Sequence, residues 1–335
     1  MPSRPRIVIV FTGGTIASKL DKEWGGVVPS LSGGQILEHL PEVRETVDVV
    51  IHEYGTLPGP HITPERMDEI SRIVRSYVDD PTVDGVVVTH GTDTLEETAY
   101  YLDCTLLTTK PVVVVGAMRN SSEPDWDGPR NLRDGIVFAS QAAAHDLGVT
   151  ICMGGMITAA SEASKTDTED LTTFTSYDFG PLGQIRNGHV LLHREPLHRD
   201  YFAVEQVPFF VPLLKLYAGM NGDLIDICVE RQAEGLVIEA FGVGNVTPRV
   251  FYSLVRAVEA GIPVVLTSRC PVGRIEHSYA YEGAGRHLHA AGVIFADYLN
   301  GQKARIKLMC ALGAGLDVPT IRSAFEWVEA VEADS

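Results

Sequence analysis

The sequence is poor in positive charge. Its 335 residues include 27 Lys and Arg against 44 Asp and Glu, which gives a formal net charge of −17. A protein of this charge is repelled by a phosphate-rich surface. We therefore expect no nucleic acid among its partners.

Long hydrophobic runs are also missing. The continuously apolar stretch near the N-terminus covers only residues 7–11. It is too short for the core of a signal peptide and far below the roughly 18 residues of a membrane span. The sequence predicts a cytoplasmic protein with no membrane partner.

Cysteine is scarce and metal-ligand spacings are absent. The five cysteines show no C-x-x-C spacing, and an odd number cannot pair completely, so we expect reduced thiols. No H-E-x-x-H motif occurs, and His287 with His289 is more typical of a solvated helix start than of a metal site. We expect no metal ion.

The composition is that of a folded protein, with 45% hydrophobic and 21% charged residues. Apolar β-branched runs predict strands, and segments of helical period alternate with them. The predicted strands are 7–11, 47–53, 86–88, 112–115 and 149–153, and the predicted helices are 64–77, 95–102 and 132–144. This alternation predicts a doubly wound, mostly parallel sheet.

The periodic pattern lapses in a proline-containing stretch and then resumes on a smaller scale. The resumed pattern predicts strands at 236–239 and 264–267 and helices at 248–260, 302–312 and 318–331. We expect a larger N-terminal α/β domain over residues 1–193, a linker over 194–212 and a smaller C-terminal α/β domain over 213–335. Residues 17–34, polar and rich in glycine, predict a flexible flap.

Two threonine-rich turns follow predicted strands. Residues 12–15 read Thr-Gly-Gly-Thr, and residues 89–94 read Thr-His-Gly-Thr-Asp-Thr. The first is typical of a tight turn as well as of a site, whereas a helix N-cap explains only one polar residue of the second. Neither has the spacing of a phosphate-binding loop. In a parallel sheet both turns lie at the ligand-binding edge.

A threonine nucleophile requires a base. Lys165 lies in a polar segment after a predicted strand, and beside Asp93 it could pass a proton to Thr92. An isolated loop lysine is more often a solvated surface charge. Its position alone leaves both interpretations open.

The two turns resemble the signature segments of the bacterial-type L-asparaginase family. Thr-Gly-Gly-Thr-Ile-Ala at 12–17 and His-Gly-Thr-Asp-Thr-Leu-Glu-Glu-Thr-Ala at 90–99 carry the resemblance. Further similar segments extend it over nearly the whole chain: 116–119, 127–129, 164–166, 179–183 and 302–305. The resemblance implies a two-domain α/β amidohydrolase without a cofactor. Its expected reaction is the release of ammonia from the side-chain amide of L-asparagine, a small amino-acid amide, with side activity on glutamine. It also implies a homo-oligomer, either a dimer or a tetramer of close dimers.

The resemblance also implies residue roles. Thr15 matches the first catalytic threonine, and Thr92 matches the second, with Asp93 and Lys165 as its partners. We favour Thr15 as the nucleophile and the other three as a proton relay, and the reverse order stays open. Peptide groups of Gly14, Gly91 and Thr92, with Ala117 beside the pocket, would position the substrate amide or its oxyanion.

The chain departs from the family pattern at two places. The flap lacks the usual tyrosine, and Trp24 is its only aromatic residue, so either Trp24 replaces the tyrosine or the flap contributes only shape. Gly59 and Pro60 stand where the family places a serine and a polar neighbour that hold the substrate α-carboxylate. The missing hydrogen bond would come from Thr56, from His61 or from the backbone around Gly59; otherwise the segment is a proline-stiffened turn without a ligand role.

The second domain is expected to contribute an acid to the substrate amino group across a dimer interface. Glu282 is our candidate and Glu276 the alternative. Asn245 and Thr247 would support that acid, although Thr247 also suits a plain N-cap.

Two other functions are considered. One is a catalytically idle amino-acid-binding or sensor module on the same fold, against which the intact set of Thr15, Thr92, Asp93 and Lys165 argues. The other is the glutamine-deamidating subunit of a tRNA-dependent amidotransferase. Such subunits carry an added N-terminal domain, whereas this sequence begins directly on its first predicted strand.

Overall fold

A computed structural model describes residues 4–208 and 210–326. The chain divides into two compact units, the first ending at Tyr201 and the second beginning at Phe202. Each unit is built around its own sheet, so the prediction of a larger mostly parallel α/β unit followed by a smaller one is confirmed.

The first unit contains twelve strands and five α-helices within the described residues. The strands are β1 (Arg6–Gly13), β2 (Ser18–Asp21), β3 (Gly26–Pro29), β4 (Asp48–Leu57), β5 (Gly85–Thr89), β6 (Val112–Val115), β7 (Val149–Met153), β8 (Met156–Ala159), β9 (Ser164–Lys165), β10 (Phe174–Thr175), β11 (Gly183–Arg186) and β12 (His189–Leu192). The helices are α1 (Gly33–Leu37), α2 (Val43–Thr46), α3 (Pro64–Val78), α4 (Leu95–Thr105) and α5 (Gly128–Ala139).

The main sheet has eight strands in the order β12-β11-β8-β7-β6-β5-β1-β4. Strands β4, β1, β5, β6 and β7 are parallel to one another. Since β1 lies between β4 and β5, the winding of the chain reverses at β1. In parallel α/β sheets, ligands bind at such a reversal, beyond the carboxyl ends of the strands.

The central strands form because their valine and isoleucine side chains are removed from water on both faces of the sheet. Every residue of β5 and β6 is buried. Helix α5 packs against β5, β6 and β7, and helix α3 packs against α4 and β5. Such continuous β-branched runs are typical of buried parallel strands.

Three antiparallel strands were not predicted. β8 pairs with β7, β11 with β8 and β12 with β11, all antiparallel, so they extend the sheet beyond its parallel part. β11 and β12 are only four residues long. In β11 buried residues alternate with a half-buried and an exposed residue, and in β12 exposed residues alternate with half-buried residues. Short, half-exposed strands carry a weak hydrophobic signal.

The flap segment contains regular structure where the sequence predicts an irregular loop. β2 and β3 form an antiparallel hairpin, and α1 follows with Ser32 and Gln35 in a capping box. The Asp21 carboxylate accepts hydrogen bonds from the backbone N–H groups of Glu23 and Trp24, which forms the hairpin turn. The flexibility expected for this segment stays a prediction.

Two predicted helix boundaries were wrong or lie partly outside the described residues. The helix expected at 132–144 begins earlier, at Gly128, because Asp127 and Pro129 occupy its N-cap and first turn, and it ends at Ala139. A separate 3-10 turn, Ala142–Ala144, follows. The last helix ends at Phe325, and residues 327–331 of the predicted segment lie outside the described residues.

The second unit has a parallel four-stranded sheet in the order β13-β14-β15-β16. Its strands are β13 (Leu213–Lys215), β14 (Leu236–Ala240), β15 (Val264–Ser268) and β16 (Ile294–Phe295). Its helices are α6 (Asp223–Glu230), α7 (Pro248–Glu259), α8 (Gly285–Ala290), α9 (Gly301–Gly313) and α10 (Val318–Phe325).

Three further observations bear on the expectations from composition. All five cysteines are free thiols, and only Cys270 is exposed. Within residues 4–208 and 210–326, no helix is both long and apolar enough to cross a membrane. The same residues contain no group of three or more His, Cys, Asp or Glu side chains arranged to hold a metal ion.

Candidate active site

The first threonine turn follows β1 directly. Gly13 and Gly14 adopt φ angles of 110° and 80°, in the region that favours glycine. The Gly14 N–H donates to the Leu57 carbonyl at 2.8 Å, which ties the turn to the end of β4. Thr15 begins a 3-10 turn, Thr15–Ala17, and is half-buried. The strand thus ends two residues before Thr15, and the 3-10 turn takes its place.

The second threonine turn follows β5 and leads into α4. Thr92 is 5% exposed, whereas the side chain of Asp93 is 60% exposed. The hydroxyl of Thr12 donates to the carbonyl of Thr89 at 2.7 Å, so the carboxyl ends of β1 and β5 are joined beside both turns.

The buried imidazole of His90 stabilises the second turn through two hydrogen bonds. Burial lowers the pKa of His90 to about 4, so its ring is neutral at pH 7. Nδ1 contacts the Gly91 carbonyl at 2.8 Å, and Nε2 contacts the Thr98 hydroxyl at 2.8 Å. Because a carbonyl only accepts, Nδ1 carries the proton and Nε2 accepts from Thr98. This fixes the peptide between Gly91 and Thr92.

The two turns are in backbone contact through glycines. A Cβ built on Gly14 would lie 2.4 Å from the nitrogen of Gly91, and a Cβ built on Gly91 would lie 2.6 Å from the nitrogen and Cα of Gly59. No side chain fits between these backbones. Gly14 precedes Thr15 and Gly91 precedes Thr92, so the contact brings together the two segments that carry the threonines.

Lys165 reaches Thr92 and Asp93 from a distant part of the chain. Its Nζ lies 3.0 Å from Thr92 Oγ1 and 2.9 Å from Asp93 Oδ1. The Lys165 side chain is 18% exposed, so it is not a solvated surface charge. The ammonium, a hydroxyl and a carboxylate therefore form one hydrogen-bonded group.

The segment around Lys165 is a short strand and not the loop that the sequence predicts. β9 pairs with β10 in antiparallel register, with Lys165 opposite Phe174. The backbone N–H of Lys165 donates to Glu96 Oε1 at 3.3 Å, and Glu96 is 5% exposed in the first turn of α4. Glu96 was missed by sequence reasoning, although it lies in the signature segment 90–99.

The remaining predicted binding positions differ in burial. Ala117 is fully buried after β6, and Gly59 is buried at the contact with Gly91. Thr56, Pro60 and His61 are exposed around the 3-10 turn Gly59–His61. The carbonyl of Gly59 accepts from the Thr94 hydroxyl at 2.7 Å, which joins this turn to the start of α4.

Trp24 is 82% exposed at the tip of the hairpin. An indole with this exposure makes little contact with any other residue. The expectation that Trp24 takes the place of a flap tyrosine stays a prediction.

Glu282 lies in the second unit. It is exposed, and its carboxylate accepts a hydrogen bond from the hydroxyl of Tyr252, which raises the pKa of Tyr252. Thr247 accepts from the N–H of Val250, as expected for the N-cap of α7.

A second group of buried polar residues, Asp127 and Asn131, was not predicted from the sequence. The two residues contact the turn that follows β6. Asp127 accepts from the backbone N–H groups of Met118 and Arg119 at 3.1 and 2.9 Å, and Asn131 donates to Asp127 at 2.9 Å. Asp127 lies in segment 127–129, which resembles a segment of the family, so the sequence could have indicated it. Asn131, one helical turn further on, had no signal in the sequence.

The grouped side chains can carry out acid–base and nucleophilic chemistry. An ammonium that donates to both Thr92 and Asp93 can exchange a proton with the hydroxyl, while Asp93 stabilises the charge on Lys165. The fold and this cluster define an α/β protein with a threonine, lysine and carboxylate site at the strand ends of its larger sheet.

Comparison with known proteins agrees with this description. Residues 6–198 match the family model for the N-terminal asparaginase domain, and residues 210–325 match the glutaminase/asparaginase C-terminal domain. The chain belongs to the asparaginase family, so the resemblance stated from the sequence is confirmed.

Individual relatives align along almost the whole chain. A probable L-asparaginase of Deinococcus radiodurans is 37% identical, with 96% of this chain and 98% of the relative covered. L-asparaginase 2 of Escherichia coli is 32% identical, with 96% and 92% covered. A glutamyl-tRNA(Gln) amidotransferase subunit of Methanobrevibacter smithii is 30% identical, with 95% of this chain and 74% of the relative covered.

Proposed function

We propose that this protein is an L-asparaginase, which hydrolyses the side-chain amide of L-asparagine to L-aspartate and ammonia. The observation that carries the proposal is the position of Lys165 Nζ, within 3.0 Å of both Thr92 Oγ1 and Asp93 Oδ1. Membership of the asparaginase family and relatives named L-asparaginase support the same reaction.

In the proposed mechanism Thr15 is the nucleophile. Its hydroxyl oxygen attacks the carboxamide carbon, and the group of Thr92, Asp93 and Lys165 accepts its proton and delivers one to the leaving nitrogen. Ammonia departs and an acyl ester on Thr15 remains, which water then hydrolyses with the same group acting as base. The reverse assignment, in which Thr92 is the nucleophile and Thr15 assists, involves the same four residues and stays open.

The proposed substrate contacts come from the turns around the threonines. Backbone N–H groups of Gly14, Gly91 and Thr92 would stabilise the oxyanion, and each such donor contributes about 3 kcal/mol to lowering the barrier. Ala117 would border the amide. Thr56, His61 or the backbone around Gly59 would supply the hydrogen bond to the α-carboxylate, and Glu282 of a second copy would bind the amino group.

Ammonia release from purified protein tests the proposal. We expect turnover with L-asparagine, to be compared in parallel with D-asparagine and L-glutamine. Thr15→Ala and Thr92→Val should each abolish turnover with the fold intact by circular dichroism, whereas Thr82→Val, at an exposed threonine, should behave as wild type. Near-normal turnover in either of the first two variants would contradict the assignment.

The same assay separates the two alternatives. A folded wild-type protein that binds L-asparagine without releasing ammonia would be a binding or sensor module. A protein that deamidates L-glutamine in preference to L-asparagine would agree with the relatives named as glutamyl-tRNA(Gln) amidotransferase subunits.

Oligomeric state and location belong to the proposal as well. We propose a homo-oligomer, either a dimer or a tetramer of close dimers, which sedimentation equilibrium would measure. We propose a cytoplasmic location, which fractionation of the source cells would test. One relative, from Haemophilus influenzae, is named a probable periplasmic L-asparaginase, so the two compartments must be assayed separately.

A further inference from the structure

The end of a third strand borders Thr92. Gly116 follows β6 directly, and a Cβ built on it would lie 3.1 Å from Thr92 Cγ2 and 2.9 Å from the His90 carbonyl oxygen. The Thr92 methyl therefore lies close to the Gly116 backbone, while its hydroxyl meets Lys165 at 3.0 Å. Methyl and hydroxyl share one Cβ, so the contact with Gly116 fixes the direction of the hydroxyl.

Asn131 holds the backbone of Gly116 in place. Its side-chain amide donates to the Gly116 carbonyl at 3.1 Å and to Asp127 Oδ2 at 2.9 Å. Its carbonyl oxygen accepts from the Gly154 N–H at 3.1 Å. Asn131 is fully buried in α5, so its orientation is set by these bonds.

Asp127 holds the residues that follow Gly116. It is 4% exposed, and its carboxylate accepts from the backbone N–H groups of Met118 and Arg119. A buried carboxylate is tolerated only when such donors surround it. Through these hydrogen bonds Asp127 and Asn131 together hold the turn of residues 116–119 in place.

We propose that Asp127 and Asn131 are positioning residues for Thr92. They hold the turn 116–119 against the Thr92 methyl group, and this keeps the Thr92 hydroxyl in the single rotamer that meets Lys165. The effect on turnover rests on the proposed function. The effect on the rotamer does not.

Turnover of four variants tests the catalytic consequence. Asp127→Asn keeps the shape of the side chain but places an NH2 group opposite the donating amide of Asn131, and Asn131→Ala removes the bond to Gly116. We expect kcat to fall about tenfold or more in each, with KM within about threefold of wild type. Asp79→Asn, an identical substitution at an exposed carboxylate just after α3, should match wild type. Thr92→Ser, the fourth variant, lacks the methyl group.

The double mutant separates positioning from general destabilisation. Serine at position 92 presents no methyl to Gly116, so adding Asp127→Asn to Thr92→Ser should lower kcat less than about threefold further. An equal fold-loss in the threonine and serine backgrounds would overturn the proposal.

Methyl NMR gives a readout that is independent of turnover. In protein with ¹³C-labelled threonine methyl groups, the three-bond couplings of Thr92 report its χ1 rotamer. We expect one rotamer in wild type and Asp79→Asn, and averaged couplings in Asp127→Asn and Asn131→Ala. An unchanged single rotamer in both of the latter would overturn the inference. Wild-type protein without ammonia release would defeat the proposed function alone.

Discussion

Gly14 and Gly91 are packed backbone to backbone, with 2.4 Å between a Cβ built on Gly14 and the nitrogen of Gly91. Each glycine stands one residue before a threonine of the candidate site. The distance between the two turns is therefore set by the absence of side chains at these positions. Any added atom must push the threonine segments apart.

We expect Gly91→Ala to be destabilising and nearly inactive. Its Cβ would lie 2.6 Å from the backbone of Gly59, which cannot move as a flexible side chain can. Such overpacking costs about 1–3 kcal/mol, and urea unfolding would measure it. Ammonia release should fall at least tenfold. Gly26→Ala is the control, because its Cβ would meet no atom within 4 Å. Equal stability and turnover in the two variants would contradict the prediction.

Lys165→Arg should fold normally and lose activity about a hundredfold or more. Arginine keeps the positive charge near Asp93 but cannot give up a proton near pH 7, so it cannot relay one to Thr92. Steady-state kcat with L-asparagine measures the loss. Lys110→Arg is the matched control, since Lys110 binds the Asp80 carbonyl away from the threonine turns. Substantial turnover by Lys165→Arg would remove lysine from the proton relay.

His90 should make folding stability dependent on pH. Burial lowers its pKa to about 4 in the folded chain, whereas an unfolded chain titrates near 6.5. The unfolded state therefore takes up the proton first. The stabilisation from neutral His90 is complete above pH 6.5 and is lost as the pH falls towards 4. Between pH 7 and pH 5 this loss amounts to about 2 kcal/mol.

Urea unfolding at pH 7 and pH 5 checks this dependence by comparison of variants. In His90→Gln the loss of stability on acidification should be smaller than in wild type by about 2 kcal/mol. The comparison is needed because other groups also titrate, among them Asp103, whose pKa burial raises to about 6. His145→Gln, at an exposed histidine, should keep the wild-type dependence. Parallel curves for His90→Gln and wild type would contradict the assignment.

Ser122→Ala should loosen the hairpin of β2 and β3. The Ser122 hydroxyl oxygen accepts from the Leu20 N–H at 2.9 Å, and without it the middle of β2 loses this tie to the segment after β6. We expect trypsin to cleave after Lys19 or Lys22 several times faster than in wild type, as seen by mass spectrometry. Ser140→Ala, at a serine bonded within its own helix end, should leave the rate unchanged. Equal cleavage rates in both variants would show that Ser122 does not hold the hairpin.

The sequence predicted those parts of the fold in which local pattern and tertiary burial agree. β6 and β7 occur at the residues that their apolar runs indicate, and Thr247 caps α7 as its position before Pro248 suggests. The hairpin of β2 and β3 was missed because its strands are only four residues long and mostly exposed or half-buried, and their pairing depends on the turn formed by Asp21.

The candidate site was predictable to a similar extent. The turns bearing Thr15 and Thr92 follow strong strand signals, so their common edge could be derived from the sequence. The place of Lys165 followed only from the family resemblance and not from the local pattern, because β9 forms through pairing with β10 and through contact with Glu96. The packing of Gly59 on Gly91 also depends on the tertiary structure, so the local sequence could not predict it.

The bond between Lys165 and Thr92 joins residues 73 positions apart in the chain. Closing so long a loop is slow compared with forming a helix or a hairpin. No fragment that ends before residue 165 can contain the complete group, even though both threonine turns would be present. During synthesis the proposed relay group therefore stays incomplete until β9, with Lys165, has been made, long after both threonine turns.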